Sequence, residues 1–250
     1  MQANSIDEVI GFLDSIIGDC RARASRLGYF ACLYQKMTKG IRQAIQDSLF
    51  EDGARMVKLD VCFANRYLEA YSLYASGRKP TASWQTAFDS AATDKLTVLQ
   101  HLLLGINAHI NLDLGIAAAK ISTRDTISGL ANDFNKVNEV IGTLFAEVQG
   151  SLAKIAFPMY FIKKINPHKM NAVLNFSIGK ARETAWGNAL LLAEIGEAGE
   201  QKIINATDQV VFKVAGAIQN PGMLMSMLLK WIRWTESKDI SRNIDHLISA

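Results

Sequence analysis

The sequence predicts an all-α fold, a single helical domain over residues 1–250 built as a bundle around a buried central helix at about 95–122. Three observations carry that prediction. Apolar residues recur at helical spacing from end to end. Only 4 prolines interrupt 250 residues, and each stands at a helix border. The one strand-like run, Gln209 to Val214, has β-branched residues but no second run with which to pair.

The elements follow from local signals. Ser5 and Glu8 have the S-x-x-E spacing of a capping box, so a first helix runs to about Arg26. A second follows Gly28 as far as Ser48, and a third spans about Asp52 to Ser76, stopped by Gly77 and Pro80. Thr81 opens a short helix containing Trp84. The apolar segment from Lys95 to Ser122 is the central helix, and the next begins at Thr123–Asp125 and ends before Pro158. Helices over 168–195, 199–219 and 223–234 follow, with a polar tail from Glu236.

Composition narrows the class. With 49% apolar and 20% charged residues, the chain is neither disordered nor fibrous. The 27 basic residues against 24 acidic ones leave +3, too small and too dispersed to indicate a nucleic-acid partner. Cys20, Cys32 and Cys62 form no C-x-x-C pair, which suits a reducing compartment. Asp7, Glu8 and Asp14 break the apolar rhythm of the first residues, unlike a signal peptide, so the expected location is cytoplasmic. The most apolar stretches, 98–119 and 221–234, are studded with polar groups or too short for the roughly 20 apolar residues of a membrane span.

The central helix carries the functional argument. It is apolar on nearly all sides, hence buried, yet holds six polar side chains. At about 100° per residue, His101, Gly105, His109 and Asp113 form one ridge, while Gln100, Asn107 and Asn111 cluster on the opposite side. A buried polar group without a partner costs about 1–3 kcal/mol, so both stripes need partners. His109 and Asp113, at i and i+4, fit a shared divalent metal ion, or an acid/base pair in which Asp113 fixes the histidine tautomer. They equally fit a structural network. His101 lies about 12 Å from His109 along the axis, too far for both rings to bind one ion, and Gly105 leaves a notch for a ligand or a neighbouring side chain.

Other helices supply candidates to complete a site. Glu69, Asp60 or Asp133 offers a carboxylate to His109, and Asn65, Arg66, Asn107 and Asn111 offer ligand contacts. Asn65 with Glu69, or Arg66 with Glu69, also reads as a pair on a solvated face. Arg182 and Trp186, at i and i+4, suit either a cation–π pair or an anionic ligand. Phe63, Tyr67, Tyr71 and Tyr74 make a core stripe. Met223, Met225 and Met227 with Trp231 and Trp234 offer a homo-oligomer surface over 221–234. His168 and His246 have no ligand-like spacing, and none of the common nucleotide, hydrolase or zinc-protease motifs is present.

Phe63-Ala-Asn-Arg-Tyr-Leu68, then Trp84 and Phe88, then the run from His101 to Leu114, and finally Arg182 with Ala185-Trp186, resemble the bacterial domain-of-unknown-function 5995 family, most closely over about 50–195. The resemblance implies a helical protein and brings no reaction or substrate. A looser likeness is to helical zinc-dependent phospholipases and nucleases, but their clusters use more histidines than the 4 here, and Gly105 stands where a metal-binding aspartate follows the first histidine. The expected function is binding of a small molecule beside the His101–Asp113 ridge, with His109 as base or metal ligand, Asp113 as its orienter, and His101 and Glu69 as further catalytic candidates. The alternative is a non-enzymatic structural or interaction protein whose polar stripes only fix helix packing.

Overall fold

Four helices begin where an N-cap side chain offers an oxygen to their free amides. The computed structural model describes residues 1–155 and 167–249. Ser5 caps α1 (Ile6–Ala22) by accepting from the Glu8 amide, and Asp52 caps α3 (Gly53–Ala75) through the Arg55 amide. Thr97 and Gln100 form a reciprocal capping box at α5 (Val98–Ala108). Between α1 and α3 runs α2 (Gly28–Gln46), and α4 (Ala82–Ala91) precedes α5.

After α5 the central helix does not stop. It passes through a five-residue π turn, His109–Asp113, whose wide loop is closed by the Leu114 amide donating to the His109 carbonyl, and resumes as α6 (Leu114–Lys120). A short 3-10 turn, Ile127–Leu130, leads into α7 (Ala131–Ile155). The chain continues as α8 (Pro167–Ile195), α9 (Glu197–Gln219), α10 (Met223–Thr235) and α11 (Ile240–Ile248). No strand occurs among the described residues. Gln209 to Val214 lies inside α9, and Pro158, read as a helix border, falls outside the described residues.

The expected polar tail after Glu236 is instead largely helical. Asp239 caps α11 through the Arg242 amide, Ile244 and Leu247 are buried, and an Arg21–Asp245 ion pair ties the helix to α1. An alternation this short, with only three apolar anchors in nine residues, reads as tail until a partner surface on α1, α2 and α7 is available to bury them.

The central helix packs on α2, α4 and α9 through its first half and on α3 and α8 through its second. Val98–Lys120 is the one described helix long and apolar enough to cross a membrane, and most of it is buried inside the protein. Two glycines let neighbours close in. A Cβ at Gly105 would overlap the Phe30 ring, and one at Gly115 would stand 2.8 Å from the Ala185 carbonyl of α8.

Three further carboxylates seal helix starts from far along the chain. Asp133 accepts from the Glu51 and Asp52 amides at 2.7 and 3.0 Å and pairs with Arg55. Asp208 of α9 accepts from the Ala82 and Ser83 amides at 2.7 and 3.0 Å. Glu236 accepts from the Val98 amide at 2.9 Å. All three are buried, and the helix-terminal partial charge and hydrogen bonds offset part of their desolvation.

Burial pushes the Glu236 carboxyl up to about 7 from an ordinary 4.5. The folded state therefore holds this proton more tightly than the unfolded chain, and stability is lost as pH rises from 4.5 through about 7. Glu236→Gln keeps an acceptor for Val98 and has no such loss. Its stability relative to wild type, measured by urea unfolding across that window, is expected to rise by up to about 1.4 kcal/mol per pH unit.

Candidate functional site

The π turn places His109 and Asp113 on the inner side of α3 and α4, and π turns inserted in α-helices often mark functional positions. Asp113 is 1% exposed and receives three donors from three elements. Arg66 Nε of α3 reaches its Oδ1 at 3.3 Å, Trp84 Nε1 of α4 reaches Oδ2 at 2.8 Å, and His109 Nδ1 lies 3.2 Å from Oδ2. A carboxylate accepts only, so His109 carries its proton on Nδ1.

His109 itself is enclosed by rings. Phe63 stacks face to face at 3.6 Å between centroids, and Tyr34 meets it edge-on at 4.4 Å. Burial pulls its pKa below the ordinary 6.5, against the raising influence of Asp113, with the Arg66 charge adding a smaller lowering effect. The ring is therefore neutral near pH 7, and its Nε2 is buried without a hydrogen-bond partner.

The ridge predicted from helical spacing is divided. Phe30 of α2 fills the notch at Gly105, with its ring 5.8 Å from His109 and 5.5 Å from Trp84. His101 lies on the far side of that plug. It sits against Tyr29, has no partner on either ring nitrogen, and is driven down to about 3 by burial, with Arg26 and Arg233 adding to the shift. His101 and His109 are thus in separate surroundings.

The opposite stripe is joined to α9. Gln100 Nε2 donates to the Ile218 carbonyl at 2.9 Å, and Asn107 Nδ2 donates to the Val211 carbonyl at 2.9 Å. Asn111 in turn donates to Asn107 Oδ1 at 3.0 Å. Asn65 brackets the Ala3 backbone, accepting from its amide and donating to its carbonyl, at 2.7 and 2.8 Å. Neither an Asn65–Glu69 nor an Arg66–Glu69 pair forms, because Arg66 turns inward to Asp113 while Glu69 stays exposed.

Arg182 is fully enclosed in another region. Its guanidinium lies 4.5 Å above the Phe134 ring and donates to the Phe134 carbonyl, and Trp186 packs on the same ring at 4.9 Å. Arg182 and Trp186 therefore share Phe134 instead of stacking on each other. Asp133 serves the start of α3 and is not brought to His109. The side chain of His168 lies outside the described residues.

Asp113, Arg66, Glu69 and Trp84 border a surface cleft of about 400 Å³, completed by Lys79, Asn205 and Asp208 among others. His109 does not line it. A larger depression of about 650 Å³, between Asp89, Gln100 and Lys230, includes no residue of the His/Asp ridge. Lys79, Asn205 and Asp208 were not recognisable as cleft residues, since each looks like an ordinary surface residue. Trp84 left a usable signal: a buried indole N–H needs an acceptor, and Asp113 is a buried acceptor.

The donor set does not fit a divalent metal. Two residues, His109 and Asp113, fall short of the three or more protein ligands such sites use, and the Asp113 oxygens are taken up by Arg66 and Trp84. Among the described residues no group of three or more His, Cys, Asp or Glu side chains is placed to hold a metal ion.

The profile of the family of unknown function DUF5995 matches residues 6–221. The chain belongs to this family. The match extends well beyond 50–195, taking in α1 and α2, which supply the Phe30 plug and the Tyr34 wall. No curated protein and no solved structure matches the chain.

Replacing Asp113 by Asn keeps an acceptor for Trp84 but leaves the Arg66 guanidinium, which is only 20% exposed, without its counter-charge. The expected cost is about 2–3 kcal/mol in urea unfolding, below the figure for a fully buried pair because Arg66 retains some water. A variant as stable as wild type would show that the network does not hold the fold.

Proposed function

We propose that this DUF5995 chain binds a small polar molecule with an anionic group in the Asp113 cleft, without a metal. The observation that supports this most is the position of Arg66. Its Nε is committed to Asp113, while the rest of the guanidinium makes no other hydrogen bond among the described residues and borders the cleft with Lys79 nearby. A fork held at one end by a buried carboxylate is preorganised for a carboxylate or phosphate at the other.

In this reading His109 is a positioning residue. It fixes Asp113, which fixes Arg66, and it stands behind the cleft wall, out of reach of a bound molecule. If chemistry follows binding, Glu69 is the carboxyl group exposed to the ligand. A reducing, cytoplasmic setting suits the three free thiols, with burial pushing Cys32 up to about 12.

The test is a thermal-shift screen of small carboxylates and phosphates. A ligand at about 100 times its Kd should stabilise the wild type by about 2.7 kcal/mol, a rise of several degrees in Tm. Arg66→Met should abolish the shift while retaining the helical circular dichroism. A shift of unchanged size in that variant would overturn the reading.

A second reading, an interaction protein, is favoured by the apolar face of α10. Met223, Leu224 and Trp234 are 80%, 85% and 78% exposed, and a second copy of the chain would cover such a face. Light scattering after size exclusion should then give a dimer for the wild type and a monomer for Leu224→Glu. A monomeric wild type at about 100 μM would remove this reading.

A further inference from the structure

We propose that the cavity between α2, α3, α7 and α8 is a second binding site, for a small acid that also carries a hydrogen-bond donor. The cavity measures about 60 Å³ and is separated from the cleft by the Phe63 and Tyr34 rings that enclose His109. Its wall is mostly apolar, including Met56, Leu59 and Val137.

Three polar atoms on this wall have no hydrogen-bond partner among the described residues: Tyr34 Oη, Asp60 Oδ2 and Arg182 Nε. The three residues are 5%, 7% and 4% exposed, so bulk water does not satisfy them. Each such vacancy costs about 1–3 kcal/mol, more for charged groups, and buried polar atoms in native proteins are nearly always satisfied. Three vacancies on a single cavity point to an occupant.

The chemistry of the occupant follows from the wall. Arg182 brings a donor and a positive charge and forms no ion pair with Asp60, so it calls for an acceptor that is anionic. Asp60 Oδ2 has no hydrogen bond among the described residues, and burial raises the carboxyl to about 7, so in either protonation state it offers an oxygen to a donor. The Tyr34 hydroxyl serves as donor or acceptor. Thr38, also on the wall, spends its hydroxyl proton on the Tyr34 carbonyl at 3.0 Å and keeps its lone pairs. A hydroxy acid or amino acid of about three carbons matches both functions and, at about 10–15 Å³ of such volume per water, replaces about four to six waters. Met37 and Ile141, the half-buried members of the wall on α2 and α7, offer the way in.

This site is independent of the cleft, and its test keeps the two apart. Calorimetric titration would compare 3-hydroxypropionate and β-alanine with butyrate, which has the same length and carboxylate but a methyl group in place of the donor. One-to-one saturation is expected for at least one donor-bearing acid, about tenfold tighter than butyrate. Asp60→Asn should reduce that preference, and Tyr34→Phe should weaken binding about tenfold. Tyr34→Phe removes one oxygen that has no partner in the empty protein, so it is expected to fold at least as stably as wild type. Arg66→Met should leave this binding unchanged.

Three results would overturn the proposal. One is failure of both acids to saturate below about 10 mM, leaving ordered water as the occupant. Another is equal affinity for butyrate. The third is loss of binding in Arg66→Met together with full binding in Tyr34→Phe, which would place the acid in the cleft and support the first site alone.

Discussion

One buried carboxylate organises this molecule. Asp113 joins α3 through Arg66, α4 through Trp84, and its own π turn through His109. An ionised carboxyl group is withdrawn from water at a cost of several kcal/mol, and only a full set of well-placed donors offsets it. Two of those donors are neutral ring N–H groups and one is a guanidinium, so the network carries a single ion pair. The charge is balanced on the side that faces the cleft, and the interior side stays neutral.

The π turn reconciles two packing demands. An unbroken α-helix from Val98 to Lys120 would present one continuous face, yet α5 contacts α2, α4 and α9 while α6 contacts α3 and α8. One inserted residue rotates the second half by about 100° relative to the first. The turn falls at His109–Asp113, where side-chain bonds on both faces sustain it: His109 to Asp113 on one side, and Asn111 to Asn107 to the Val211 carbonyl on the other. Gly115 follows directly, and without a Cβ there the resumed helix lies against the α8 backbone at Ala185.

Much of the fold could be read from the sequence because local signals and tertiary packing agree. Ser5 caps the helix that its spacing from Glu8 announces, and the polar stripes on an apolar helix announced a polar interior. What stayed hidden depends on long-range partners. Asp133, Asp208 and Glu236 cap helices between 81 and 138 residues away, and no local pattern encodes that. The His101–His109 ridge was legible as a row of positions but not as two compartments, because the plug between them, Phe30, belongs to α2. Spacing offered Arg66 only Glu69 as a partner, and burial selected Asp113, which needed it, over Glu69, which water already solvates.

That selection also explains why two polar sites coexist in one core without merging. Charges in a protein interior attract strongly over several ångströms, so Arg182, Asp60, Arg66 and Asp113 would rearrange into common pairs if side chains could cross the space between them. Phe63 and Tyr34 prevent this. They pack against the neutral His109 ring on one face and line the cavity on the other. A protonated His109 would place a positive charge among these rings and close to Arg66, with only the Asp113 oxygen it shares with Trp84 as compensation. Burial keeps it neutral, and the neutral imidazole then works as one more flat ring in an aromatic partition that happens to orient a carboxylate at its edge.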